Sequence, residues 1–210
     1  MDIQKIFSDL PEGFRLGGEE DVSLITLTIA QAFADSAYPI PSVSIDYSAH
    51  FKFMYEISEG IVRNTIRHGA ALTNEDFSAV MLIVPLSKSA DYGIEKIYAN
   101  LRDNAGVEAA ENMRLIFEAI GKAEATLALS ENTLYVEQFA VQPPRQGQKL
   151  GSMLMRELFR RCEPDKCDVF LYTNTAHNES IYHHFGFETI SKLEEKELGS
   201  DTYFLLRKAQ

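Results

Sequence analysis

The chain has no tryptophan, two cysteines and seven prolines in 210 residues, and its basic side chains fall well short of its acidic ones. Each shortage excludes something. Cys162 and Cys167 cannot build a disulfide framework, and the four residues between them do not match the spacing of common zinc sites, so both are expected as reduced thiols. Twenty Lys and Arg against 31 Asp and Glu give a net charge of −11, a field that opposes DNA and RNA and attracts cationic small molecules. No apolar run approaches the length of a membrane span; the longest candidate, residues 79–86, contains Pro85. The opening MDIQKIFSDL has neither a basic start nor a continuous apolar core, so no secretory signal is read and a cytoplasmic protein is expected.

What is present is the balance of an ordinary globule: 45% hydrophobic and 24% charged residues, in a chain long enough for one well-cored domain over residues 1–210. Residues 13–16 suit a short strand before the Gly17-Gly18 break, and 19–33 suit a helix. Pro39 and Pro41 mark residues 36–45 as a loop. Phe51, Met54, Ile57 or Ser58, Ile61 and Thr65 trace one face of a second helix, which should stop at His68 and Gly69. Residues 69–72 and 78–85 read as strands joined by a turn at 73–76, and the second is apolar throughout, as a central strand would be. Residues 87–131 are predominantly helical. Strands follow at 133–141 and 168–173, a long helix at 150–162, a short one at 178–185, and an antiparallel pair at 187–193 and 202–207. The class is α/β (α+β), with the 87–131 helical insert standing before the fourth main strand.

The stretch from 133 to 188 organises the rest. An apolar strand ends at Val141, a loop rich in Gln and Gly follows, and an amphipathic helix begins near Leu150. Backbone N–H groups running into a helix N-terminus favour anions, so this strand, loop and helix suit a phosphorylated ligand. Residues 141–155 read V-x-P-x-x-Q-G-x-K-L-G-S-x-L-M, and downstream Asn178, Tyr182, Gly186 and Phe187 form N-x-x-x-Y-x-x-x-G-F. The two segments together resemble the acyl-CoA-binding signature and distal element of the GNAT (GCN5-related N-acetyltransferase) superfamily. That signature, Q/R-x-x-G-x-G/A, falls on Gln146, Gly147, Gln148, Lys149, Leu150 and Gly151, with Lys149 where the first glycine stands. The resemblance covers roughly residues 131–190; the first 70 residues and the insert carry no signature.

The resemblance implies a mixed, mostly antiparallel twisted sheet flanked by helices, with two central strands splayed to admit a thioester. It implies acetyl-CoA as cosubstrate, releasing CoA, without a metal. The backbone of Gln146, Gly147, Gln148, Lys149, Leu150, Gly151 and Ser152 would hold the diphosphate, and Phe139, Ala140 and Val141 would bond the pantetheine. Tyr182 is the candidate general acid, since a phenol can protonate a departing thiolate; the alternative is a tyrosine packed between Ile181 and Phe185. Asn178 would orient the cofactor or a water, or cap the helix. Glu137 is the candidate base, placed by strand alternation on one face with Tyr135 and Phe139; a solvent-facing glutamate and deprotonation by water are the alternatives. Arg145, Arg156, Arg160 and Arg161 form a basic cluster that can meet the 3′-phosphate of CoA or simply be solvated. His50 and His68 read as surface residues at helix ends, and His177, His183 and His184 have no metal-ligand spacing.

Two functions follow. One is an acyl-CoA-dependent N-acyltransferase, in its simplest form an acetyltransferase of a small primary amine, as monomer or homodimer, with specificity set by the N-terminal helices and the insert. The other is a catalytically silent acyl-CoA-binding regulatory module, which Lys149 leaves open.

Overall fold

The computed structural model describes residues 3–34, 47–89, 94–195 and 200–210. A seven-stranded sheet runs in the order β1 (Phe14–Leu16), β2 (Ala70–Asn74), β3 (Ala79–Pro85), β4 (Thr133–Val141), β5 (Asp168–Thr173), β7 (Ser200–Arg207), β6 (Glu188–Glu195). Among these strands only β4 and β5 pair in parallel. The helices are α1 (Ile3–Ile6), α2 (Val22–Phe33), α3 (Tyr47–His68), α4 (Ile94–Ala105), α5 (Val107–Glu124), α6 (Leu150–Cys162) and α7 (Ala176–His184). The expected fold class is borne out, insert included: α4 and α5 are its helices. The proline-marked loop at 36–45 lies outside the described residues.

Alternation along the strands divides the core into two faces. Leu72, Met81, Ile83, Leu134, Val169 and Leu205 meet α1 and α6 on one face. Ala71, Val80 and Leu82 meet α2, α3 and α4 on the other, where Tyr135, Phe170 and Phe204 also receive Ile116 and Ile120 of α5. β3 is buried along its whole length, as its unbroken apolar sequence requires of a strand covered on both sides. In α6 the buried Leu154, Met155, Leu158, Phe159 and Cys162 form the apolar stripe that fastens the helix to the sheet. Each large buried side chain of that stripe contributes about 1.5–3 kcal/mol.

Two irregularities in β4 make the site. β4 and β5 pair only over residues 133–135 and 168–170, after which β5 continues against β7 and the sheet opens between them. The second is a bulge: Leu82 pairs with Gln138 but Ile83 with Val136, so Glu137 is an extra residue. Before the bulge the even residues Leu134 and Val136 face α6; beyond it the odd residues Phe139 and Val141 do. Simple alternation, which groups Glu137 with Tyr135 and Phe139, therefore fails. Tyr135 packs against α5, Phe139 against the opposite face, and Glu137 stays on the Tyr135 side, where Thr65 of α3 donates to it at 3.4 Å.

Candidate active site

Between β4 and α6 the chain makes one tight turn, with Pro143 opening it and the Arg145 N–H donating to the Gln142 carbonyl at 2.8 Å. Gln146 is extended, and its side-chain amide donates to the Val141 carbonyl at 3.2 Å. Gly147 then takes φ 76° and Lys149 takes φ 65°, both left-handed, and α6 starts. The consequence is a run of six backbone N–H groups, residues 147–152, none of which donates to another of the described residues. Free N–H donors at the positive end of a helix are a combination that can receive an anion such as a diphosphate. Gly151 sits close to β4: a Cβ there would stand 3.1 Å from the Phe139 ring, which would have to give way by a few tenths of an ångström. Lys149 holds the left-handed conformation at a cost of about 1–2 kcal/mol, and the donors remain turned outward.

The hairpin from β2 to β3 braces this loop. Its turn follows Asn74 rather than spanning 73–76, and it brings Asp76 to Arg145 at 2.7 Å. The Ser78 hydroxyl and Arg145 hold the Asp76 carboxyl down at about 2. Gln142 adds a backbone bond to the Ser78 carbonyl at 2.8 Å and a side-chain bond to Thr28 at 3.0 Å. Of the four clustered arginines, three are occupied. Arg145 braces the loop, Arg160 and Arg161 both hold the buried Glu157, and Arg161 also donates to the carbonyls of Ile6, Ser8 and Asp9. Burial opposes ionisation of Glu157, but its two arginines outweigh that and keep its pKa low. Arg156 is exposed and has no partner among the described residues.

α7 follows β5 beside the opening. Thr175, not Asn178, is its cap, accepting from the Asn178 N–H at 3.1 Å, so the helix begins two residues earlier than the sequence suggests. Asn178 is thereby left exposed, one helical turn before Tyr182 and on the same side. The half-buried Tyr182 ring stands edge-on to Phe187 at 5.6 Å, packed against the α6-side core, and burial pushes its phenol up to about 12. It therefore stays protonated at neutral pH.

On the other face of the opening lies a cleft of about 460 Å³ between α3, α4, α5, β4 and β5. Glu137 and Tyr135 line its sheet side, and Glu95, Glu118 and Glu124 of the insert line its outer side. The gap between β4 and β5 is thus a window, with the anion cradle and Tyr182 on one face of the sheet and a carboxylate-lined cleft on the other.

The acetyltransferase (GNAT) domain of a known family matches residues 93–201, just over half of the chain. The chain belongs to the GNAT acetyltransferases. A curated relative, an uncharacterized N-acetyltransferase of Schizosaccharomyces pombe, is 24% identical over 176 residues, spanning 80% of this chain and 71% of that protein. Among solved structures, histone acetyltransferase HPA2 and related acetyltransferase from Corynebacterium glutamicum has a TM-score of 0.66 at 14% identity, over 96% of this chain and 98% of the other. Arylalkylamine N-acetyltransferase 2 from Aedes aegypti has a TM-score of 0.62 at 10% identity, over 94% and 98%. The PaiA N-acetyltransferase from Thermoplasma acidophilum, solved with coenzyme A, has a TM-score of 0.54 at 9% identity, over 95% and 99%. At these identities the structures show a shared fold.

Within this GNAT frame, sequence reasoning missed Asp76, Glu124 and the cleft tyrosines. Nothing local marks them: Asp76 looks like an ordinary turn residue, and Glu124 is one of many acidic residues in a helical insert. The histidines do local work, His183 bonding Thr189 at 2.9 Å and His184 the Ser180 carbonyl at 2.6 Å. Among the described residues no group of His, Cys, Asp and Glu could hold a metal ion, and no helix is long and apolar enough to cross a membrane. Cys162 and Cys167 are free and buried, and burial raises both thiols.

Proposed function

We propose that this GNAT protein moves an acyl group, in the simplest case acetyl, from acyl-CoA to a primary amine of a small molecule, by direct attack with both substrates bound. The observation that carries this reading is the parting of β4 from β5, with six N–H groups that have no partner among the described residues on one face of the sheet and a carboxylate-lined cleft on the other. Acyl-CoA, when bound, supplies an activated thioester. The backbone of residues 147–152 receives the diphosphate, with the Lys149 ammonium beside it as a point charge. Phe139, Ala140 and Val141, unpaired on the β5 side, offer backbone bonds to the pantetheine. Asn178 orients the same chain from α7.

Glu137 faces the acceptor and takes the proton the attacking amine must lose, directly or through water. Tyr182 donates to the sulfur as the carbon–sulfur bond breaks. Its phenol lies roughly three units above an ordinary thiol, so its main contribution is a hydrogen bond that strengthens as negative charge develops. The insert, α4 and α5, forms the acceptor side. The amine substrates named for the Aedes aegypti neighbour agree with an amine acceptor, and two buried reduced thiols suit a cytoplasmic location.

Calorimetric titration with acetyl-CoA and with CoA, followed by thiol release across a panel of amines, tests this reading. Saturable binding and release are expected. Absence of binding by folded protein would remove the cradle assignment, and binding without release by any amine would leave an acyl-CoA-binding module.

A further inference from the structure

The acceptor cleft has more negative charge than one reacting amine requires. Among the described residues its one lining cation, Arg114, is already held by Glu111 at 2.5 Å and by Glu118 on its own helix. Glu124, the last residue of α5, is half-buried in the cleft wall, and its carboxylate has no hydrogen-bond or ionic partner among the described residues. Burial alone raises its pKa. An unpartnered carboxylate removed from water is unfavourable unless something cationic meets it. The cleft that Glu124 and Glu137 line has apolar and aromatic walls as well: Ile57, Ile61, Phe117 and Ile120, with the Tyr135 and Tyr172 rings 6.4 Å apart. Such walls accept a hydrocarbon spacer, and the tyrosine faces accept a cation.

The chemistry sharpens this. An amine attacking a thioester must be neutral at the moment of attack, so it cannot stay paired with a carboxylate. A second carboxylate in the same apolar-walled cleft therefore serves a cation that keeps its charge throughout. We infer that the acceptor carries two cationic groups joined by an apolar spacer, one amine presented at Glu137 and the distal cation held by Glu124. Glu124 is thus a specificity-determining residue. The inference rests on the transferase reading for the role of Glu137, but the distal cation site can be tested without turnover.

The experiment is calorimetric titration of CoA-loaded protein with alkyl diamines of graded length and with monoamines of the same chain length. Diamines are expected to bind roughly tenfold tighter or better at the matching length, and Glu124→Gln, a neutral side chain of the same shape, is expected to bring the two affinities together. CoA affinity checks that the variant is folded. Equal affinities in the wild type, or a preference that survives in Glu124→Gln, would overturn the assignment. A diamine preference that depends on Glu124, without thiol release from acetyl-CoA, would uphold the cation site and remove the transferase reading. Thiol release with diamines and monoamines equally served would do the reverse.

Discussion

On the α6 side of the sheet the proposed binding groups are backbone N–H donors from one continuous hexapeptide, residues 147–152. On the α3–α5 side they are side chains from five elements, between residues 57 and 172 of the chain. Backbone donors exist whatever the side chains are, so the cradle needs only a conformation: Gly147 and Lys149 left-handed and Gly151 close to Phe139. The acceptor cleft needs identities, because a carboxylate recognises a cation only through its own charge. A loop of the first kind tolerates Lys149 where a glycine is usual. A cleft of the second kind would change its ligand with a single substitution at Glu124.

The largest expected effect lies at the window joining the two sides. Tyr182→Phe should lower turnover by about 10²-fold or more while leaving acetyl-CoA affinity nearly unchanged, since it removes a donor and little packing. Equal losses in kcat and in affinity would mean that Tyr182 only packs. Next comes Arg156, the member of the arginine cluster with no partner among the described residues. Arg156→Ala should weaken CoA by roughly three- to tenfold and 3′-dephospho-CoA hardly at all. Similar losses for both ligands would exclude the 3′-phosphate as its partner.

Lys149→Gly separates conformation from charge. Freed of left-handed strain but more flexible when unfolded, the variant should change in stability by only a few tenths of a kcal/mol. Its CoA affinity should fall a few-fold, because the backbone donors stay. Complete loss of binding would break the contrast drawn above, since the cradle would then depend on a side chain.

The smallest effect is in pH dependence, and it has opposite signs on the two sides. Asp76, held at about 2 against an ordinary 3.8, stabilises the fold above its ordinary value, and that contribution is lost as pH falls toward about 2. Glu124 is raised, so its contribution is complete below its ordinary value and is lost as pH rises through its folded one. Urea unfolding from acid to neutral pH should therefore show the wild-type advantage over Asp76→Asn shrinking on acidification. Glu124→Gln should instead gain on the wild type as pH rises. Parallel pH profiles for the two variants would refute the assigned environments.

Much of this protein was legible because its patterns are local. The apolar run of β3 and the helical stripe of α6 are properties of consecutive residues, and short-range sterics and burial dictate them from the chain alone. The windings of the insert were equally readable; what they enclose was not. The bulge at Glu137 depends on how β4 registers against β3, a strand some fifty residues earlier, so alternation within β4 could not reveal that Phe139 would face away from Tyr135. Thr175, which accepts from the Asn178 N–H, took the cap of α7 that the sequence offered to Asn178. Sequence by itself determined the strands, the helices and the loop that leads into α6. Only the tertiary structure decided which side chains meet at the acceptor, because Glu124, Glu137 and Tyr172 are distant in the chain and become neighbours through packing.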